Sequence, residues 1–464
     1  MAKRYVVGAL MGALMLVVTG CPSGDDNPVP PPGDAGTQVP DDAGTQQPDD
    51  AGTQQPGDAG TQQPGDMTIK EGDACTTTAS CMAGLYCAES KCAPLHIAVT
   101  VGPTGATTTP TYAVVVPFNK PVSPTRLSGD TSTSRFPRWN REGSAVAFVD
   151  IASDNTVSLV SRGIPALTGQ STTPLTTGAA ANTSDFRYME WEPSSTIAWS
   201  QTSSTGSSTG IWSTSGSGSA ASVTPNGVFP SWAADGNSFV YSANGLGLLR
   251  RVVSETSSSS VSGVSTTSEQ PLHNKANGVV LYLDAKGQEE PTRLTPLTGL
   301  YTINTAAAAS TPNEIALPRD EGGPIAGGQI KSYIANHTWA PGGTHVAYVR
   351  VFYIKPEVGD AVLCSGTNCG GQQGNVVYVR RIDPATGAPA GDEVKFADEA
   401  TLPSFSPDGQ FLAYVSGSQL KVQKIDPATG TPVAGSLISH DWRNDNWRVL
   451  TNSGDDHRPR WQPR

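Results

Sequence analysis

The chain has 464 residues, of which 37% are hydrophobic and only 15% charged, and its 50 glycines and 37 prolines make up nearly a fifth of it. That mix excludes a helical bundle or coiled coil, which draws on Ala, Leu, Glu and Lys, and the net charge of −11 argues against a nucleic-acid binder. The length suffices for two or three ordinary domains or one large β domain.

Lys3 and Arg4 precede an apolar run from Val6 to Val18 that is too short to span a bilayer in a mature protein and reads as a secretory signal. The run ends Val18-Thr19-Gly20-Cys21, which resembles the lipobox of bacterial lipoproteins. That resemblance implies removal of residues 1–20, lipid attachment at Cys21 and a place in the cell envelope. Pro22 in the following position fits outer-membrane sorting, with the face left open. Several acyl chains hold a protein on a membrane where one binds only marginally. Residues 21–66 carry the lipidated cysteine and a tether without aromatic residue, Lys or Arg, in which Asp-Ala-Gly-Thr-Gln recurs from Asp34, Asp42, Asp50 and Asp58. Such a segment buries no apolar area and is expected to stay disordered. Nine of the acidic residues lie in it, so residues 67–464 carry a net charge of only −4. The acidity belongs to the tether, not to a binding face.

Residues 67–94 hold Cys75, Cys81, Cys87 and Cys92, and Cys364 and Cys369 form a second group. Six cysteines beyond Cys21 suit an oxidising compartment, and the first four lack the paired CxxC knuckles of most zinc sites. Disulfides are expected, with three pairings open for the first cluster. The segment resembles small Dickkopf-like cysteine-rich modules.

Across residues 95–464 one phrase recurs at blade-like intervals. It reads Phe136-Pro137-Arg138-Trp139, Trp191-Glu192-Pro193, Phe229-Pro230-Ser231-Trp232, a worn Pro271-Leu272-His273-Asn274, Trp339-Ala340-Pro341, Pro403-Ser404-Phe405-Ser406-Pro407-Asp408-Gly409 and a terminal Pro459-Arg460-Trp461. An aromatic packing between sheets, a tight turn and a short strand buried on both faces explain it. The phrases resemble the TolB-type, WD40-like propeller repeat, although only Ser406-Pro407-Asp408-Gly409 is complete and the N-terminal α/β domain of TolB is missing. An all-β propeller of seven blades is expected, with six the alternative. Trp461 would supply the inner strand of a blade completed by residues 96–101, 112–116 and 126–128, closing the ring. Arg293-Leu294-Thr295 and Val449-Leu450-Thr451 read as fourth strands, and Ile382–Gly387 and Ile425–Gly430, with identical sequence, as equivalent outer hairpins.

No catalytic set stands out. Gly206-Ser207-Ser208-Thr209-Gly210 matches a nucleophile elbow only formally, lying in a Ser/Thr/Gly-rich hairpin. The histidines His96, His273, His337, His345, His440 and His457 form neither HxH nor HExxH. No metal or cofactor is expected. Residues 298–335 and 353–376 read as insertions, where binding often resides. Trp442 and Trp447, with Arg443 and Asn444, offer a candidate binding surface, against which at least one tryptophan is expected to pack between blades. The resulting expectation is a membrane-anchored, non-enzymatic binding or scaffold module for an envelope or extracellular protein, peptide or glycan. The alternative is a propeller lyase or hydrolase with its site over the channel. His, Asp, Glu and Arg gathered there would favour the enzyme; Ser, Thr, Asn and aromatics would favour the binder.

Overall fold

The computed structural model describes residues 69–463 except 77, 79–80, 89, 105–109, 130, 155, 164–172, 176–185, 192–195, 203–208, 216–220, 286–296, 306–309, 326–327, 358–360 and 453. The signal segment, Cys21, the tether, Arg293-Leu294-Thr295 and residues 206–208 of the formal elbow lie outside the described residues.

Seven antiparallel sheets follow one another along the chain, and each is a propeller blade. Blade 1 holds His96–Pro103, Tyr112–Pro117 and Thr125–Arg126. Blades 2 to 5 begin with the inner strands Thr133–Trp139, Phe186–Trp191, Val228–Trp232 and Ser268–His273. The inner strand of blade 6 is Gly328–Trp339 and that of blade 7 is Ala400–Phe405. The seven expected phrases therefore give seven blades, and the worn copy at Pro271 builds a full one.

Second strands such as Ser238–Ala243 and Phe411–Ser416 are short apolar runs because both of their faces are covered. Seven hydrophobic clusters fill the seven gaps between blades; Val115 and Phe148 join blades 1 and 2, and Val99 and Val422 join blades 1 and 7. Each such side chain contributes about 1.5–3 kcal/mol on burial.

Three tryptophans of the phrase are also stitches. The indole Nε1 of Trp139 donates to the Arg460 carbonyl at 2.9 Å, that of Trp339 to Leu272 at 3.0 Å and that of Trp461 to Ser404 at 3.0 Å. In each case the acceptor is the residue before the equivalent aromatic of the preceding blade. Closure is as expected: Trp461 pairs with Ile97 and Arg460 with Ala98. The segment expected as a fourth strand departs from that reading. Trp447–Val449 pairs with Val101–Pro103 as the other half of the same inner strand, because residues 450–459 leave the sheet between the two halves.

Residues 298–335 are less irregular than their composition suggests. They supply Thr298–Asn304 and Asn313–Ala316 to blade 5 and Arg319–Ile325 to blade 6. The two Asp-Pro-Ala-Thr-Gly turns are equivalent, as expected: Asp383 Oδ1 accepts from the Ala385 amide and Asp426 Oδ1 from the Ala428 amide. Each turn reaches back over the preceding blade, where Thr302 donates to the Gly387 carbonyl.

The cysteine module is a hairpin, Leu85–Ala88 with Lys91–Pro94, stapled by Cys75–Cys87 and Cys81–Cys92. It packs on the propeller: the Gly84 amide donates to Asp408 Oδ2 at 2.8 Å, and the Leu95 amide to the Gly84 carbonyl at 2.9 Å. Cys364–Cys369 closes a small loop on blade 6. Among the described residues no helix is long and apolar enough to cross a membrane.

Candidate functional site: a blind central funnel

Six inner strands share a backbone device that the sequence did not announce. Phe136, Tyr188, Phe229, Gln270, Asn336 and Leu402, each three residues before the aromatic position, adopt φ between 43° and 57°. A non-glycine residue there costs on the order of 1–2 kcal/mol. The conformation is held by cross-blade bonds: the Phe136 amide donates to Thr100 Oγ1, Phe229 to Ser200 Oγ and Gln270 to Ser242 Oγ. The register of each inner strand shifts there. The next residues, among them Arg138, Glu190, Pro230 and Leu272, line the central cavity.

Blade 1 has no such bulge and instead sends residues 450–459 across the channel as a plug. Its turn Gly454–His457 carries Asp456, which is fully buried, and His457, which is 3% exposed. Asp456 Oδ1 accepts from Arg138 Nη2 at 3.2 Å and from the Tyr188 amide at 2.7 Å. Arg138 also donates to the Asp456 carbonyl (3.2 Å) and to the Met189 carbonyl (2.8 Å), while the His457 ring lies 5.2 Å from that of Phe136. Burial outweighs the neighbouring Arg138 and pushes the Asp456 carboxyl up to about 6. Burial and the surrounding arginines push His457 down to about 3, so it stays neutral.

Above the plug the channel opens as a funnel of about 500 Å³ toward the turns that follow the inner strands. Tyr188, Trp191, Phe229, Phe405 and Trp461 contribute aromatic walls. Five cations, Arg138, Arg141, Lys275, Arg458 and Arg460, face a single carboxylate, Glu190. Glu190 is engaged, taking Lys275 Nζ at 2.9 Å and the Trp232 amide at 3.0 Å. A concave, partly apolar site with excess positive charge attracts an anion and disfavours a metal ion. Among the described residues the grouping with metal-type ligand atoms in mutual reach is Cys75, Cys81 and Cys92, all three committed to disulfides.

The surface proposed from sequence is mostly packing. Trp442 is 4% exposed and its Nε1 donates to the Val122 carbonyl. Trp447 stacks obliquely on Tyr112 at 5.6 Å. Arg443 is exposed but ion-paired with Asp441, and Asn444 lies exposed beside it. The histidines do not gather: His96 meets Gln462, His337 the Gln270 carbonyl, His345 the Thr344 hydroxyl and His440 the Phe118 carbonyl. Thr209 and Gly210 of the formal elbow open the strand Thr209–Ser215, not a helix, so the setting of a nucleophile elbow is not met.

No protein-family model matches the chain, and no curated protein matches it. Among solved structures it is similar to a putative TolB from Agrobacterium tumefaciens, at 12% identity and a TM-score of 0.39, covering 77% of this chain and 99% of that one. It is also similar to TolB from Acinetobacter baumannii, at 13% identity and a TM-score of 0.38, covering 80% and 67%. An oligogalacturonate lyase in complex with manganese matches at 14% identity and a TM-score of 0.45, covering 73% and 84%. At these identities the likeness is one of fold alone. The chain is a seven-bladed β-propeller whose ring is clasped by the strand Arg460–Trp461.

Proposed function

We propose that this is a lipid-anchored envelope protein whose propeller is a non-enzymatic binding module, receiving an envelope or extracellular partner in the central funnel. The observation that carries this reading is the funnel's lining. Its ionisable groups are five cations and one carboxylate that is already engaged by Lys275. Hydrolysis or elimination needs an acid and a base near the reacting bond, as in the paired carboxylates of glycosidases, and the described lining residues contain no histidine and no second carboxylate. Aromatic walls, the feature expected of a binder, are present; the arginines and Glu190 are shared with the enzyme alternative, while Asp456 and His457 lie buried in the floor beneath the lining. The anchor rests on Val18-Thr19-Gly20-Cys21 and the tether after it. Pro22 fits the outer-membrane sorting pattern and supports that placement.

The test is affinity capture from solubilised envelope and extracellular material, read by mass spectrometry, with the full chain and its Trp191→Ala,Arg141→Glu variant as baits. One partner recovered unaltered by the parent and lost by the variant is expected. Recovery of a shortened or chemically altered ligand would make the funnel an active site, and equal capture by both baits would move binding elsewhere.

A further inference from the structure

The shape of the funnel constrains what enters it, given that the funnel is the binding site. Asp456, His457 and Arg458, at 0%, 3% and 3% exposure, close its base. A chain cannot be threaded through; it must enter and stop. A cavity of about 500 Å³ is of ordinary ligand-pocket size, which for a peptide corresponds to about its last three or four residues. A looped internal segment would have to pass twice through the same mouth.

The walls favour a peptide over a sugar. Met189, Leu272 and Ala234 join the rings of Pro230, Pro271 and Pro341 in the lining. The neutral hydrogen-bonding side chains not used by an indole stitch are Asn140, Gln270, Ser404, the Tyr188 phenol and the Trp191 indole, few for the hydroxyls of a sugar. A glycan brings a hydroxyl on nearly every ring carbon, and each one buried without a partner weakens binding. Apolar walls suit side chains of a peptide.

The charge favours one end of that peptide. Residues 67–464 are net acidic at −4, yet the funnel collects five cations. Arg138 is occupied as scaffold, held by Asp456 and by the carbonyls of Met189 and Pro137. Arg458 and Arg460, which follow the plug turn in the chain, both line the funnel, and Arg460 lies near enough to Asp456 of the plug to act on its carboxyl. Guanidinium groups bind carboxylates through two parallel bonds, and capture of a terminal carboxylate is a recurrent mode of peptide recognition.

We infer that the funnel captures the free C-terminus of a partner protein, with the terminal carboxylate placed at Arg458 and Arg460 on the plug side and the preceding apolar side chains along the proline and aromatic walls. Lys275 and Arg141 at the mouth steer the approach.

The probe is an immobilised random hexapeptide library ending in free carboxylates, and the same library amidated, with a uronate oligosaccharide as the competing ligand. The full chain is expected to select acids with apolar residues just before the terminus. The best binder, resynthesised as its amide, should bind at least tenfold more weakly. Arg460→Gln should erase most of that acid–amide difference, and Arg443→Gln, on the outer surface, should leave it intact. Should Arg460→Gln fail to fold, Arg460→Lys, which keeps charge but loses the fork, is expected to reduce the difference partially. Equal binding of acid and amide, selection of neither library, or binding of the oligosaccharide alone would overturn the inference. Funnel-dependent capture with any of those outcomes leaves the binding module standing, whereas capture indifferent to funnel substitutions removes both.

Discussion

Replacing His273 by leucine should make the protein less sensitive to acid without weakening it at neutral pH. His273 ends the inner strand of blade 5 and is 7% exposed, and neither ring nitrogen has a hydrogen-bond partner. Burial first, then Lys275 and Arg250, hold it down to about 3 against an ordinary 6.5, with Asp235 opposing. A base lowered in the folded state is neutral there while the unfolded chain takes up a proton below pH 6.5. Stability is therefore full above 6.5 and is lost as pH falls toward 3. At pH 5 the unfolded state gains about 2 kcal/mol from this one residue, from RT ln(1 + 10^1.5). Leucine, of similar volume, has no such proton and leaves no polar ring unpaired. In denaturant titrations followed by circular dichroism, the gap His273→Leu minus parent should be zero or favourable at pH 7.5. It should widen by about 2 kcal/mol at pH 5 with an unchanged slope. His96, His345, His440 and His457 are also lowered, but they act on both proteins and cancel in the difference. Parallel stability curves across that pH range would refute the reasoning, since His273 would then be as titratable folded as unfolded.

Three further outcomes follow from the same geometry. Trp461→Ala removes a 7% exposed indole that packs on Phe118 and bonds the Ser404 carbonyl; it should cost about 3–5 kcal/mol, and an unchanged melting temperature would exclude a role in closure. Gly84→Ala places a Cβ 2.3 Å from the Phe118 ring at a φ of +77°, so the cysteine module should lift from the propeller and become protease-sensitive while residues 95–464 stay resistant. Equal digestion of parent and variant would contradict this. Cys21→Ala should move the protein from the membrane to the soluble fraction with an unaltered circular dichroism spectrum; retention on the membrane would sink the lipid anchor.

The repeat was readable because each phrase does one physical job seven times. Its aromatic position ends the inner strand and is an indole stitch at Trp139, Trp339 and Trp461. Its glycine takes a left-handed turn position in four copies (Gly143, Gly236, Gly343 and Gly409, φ 64° to 72°), and the apolar run after it is buried on both faces. Even the worn copy at Pro271 kept enough of these to form a strand. The funnel was not readable, because its floor is the one place where the repeat breaks. Residues 450–459 have no period-2 alternation and carry an Asn-Ser-Gly-Asp turn signature that reads as an ordinary surface loop. A buried Asp456 looks like any exposed aspartate until Arg138, more than 300 positions away, is brought beside it. The left-handed bulges were hidden for a related reason. Phe136 and Leu402 carry no local mark of positive φ; the residues that stabilise the bulges, Thr100, Ser200 and Ser242, sit one blade earlier. Trp442 packs between blades, as expected of at least one of the two tryptophans, but which one could not be read, because aromatics beside Asn, Asp and Arg look alike in a rim and in a seam.

The split inner strand of blade 1 also sets a clock. His96–Pro103 is the first propeller strand to be synthesised, and its inner neighbours, Trp447–Val449 and Arg460–Trp461, are among the last. A chain crossing a membrane N-terminus first would carry that strand with a bare edge through most of the passage, because even the pairing closest in sequence, Pro103 with Trp447, spans more than 340 positions. Pairings between such distant positions form slowly, and an unpaired edge invites mispairing and proteolysis. Losing the strand Arg460–Trp461 would leave Ile97 and Ala98 unpaired as well, so the ring shuts only once that distant strand has arrived.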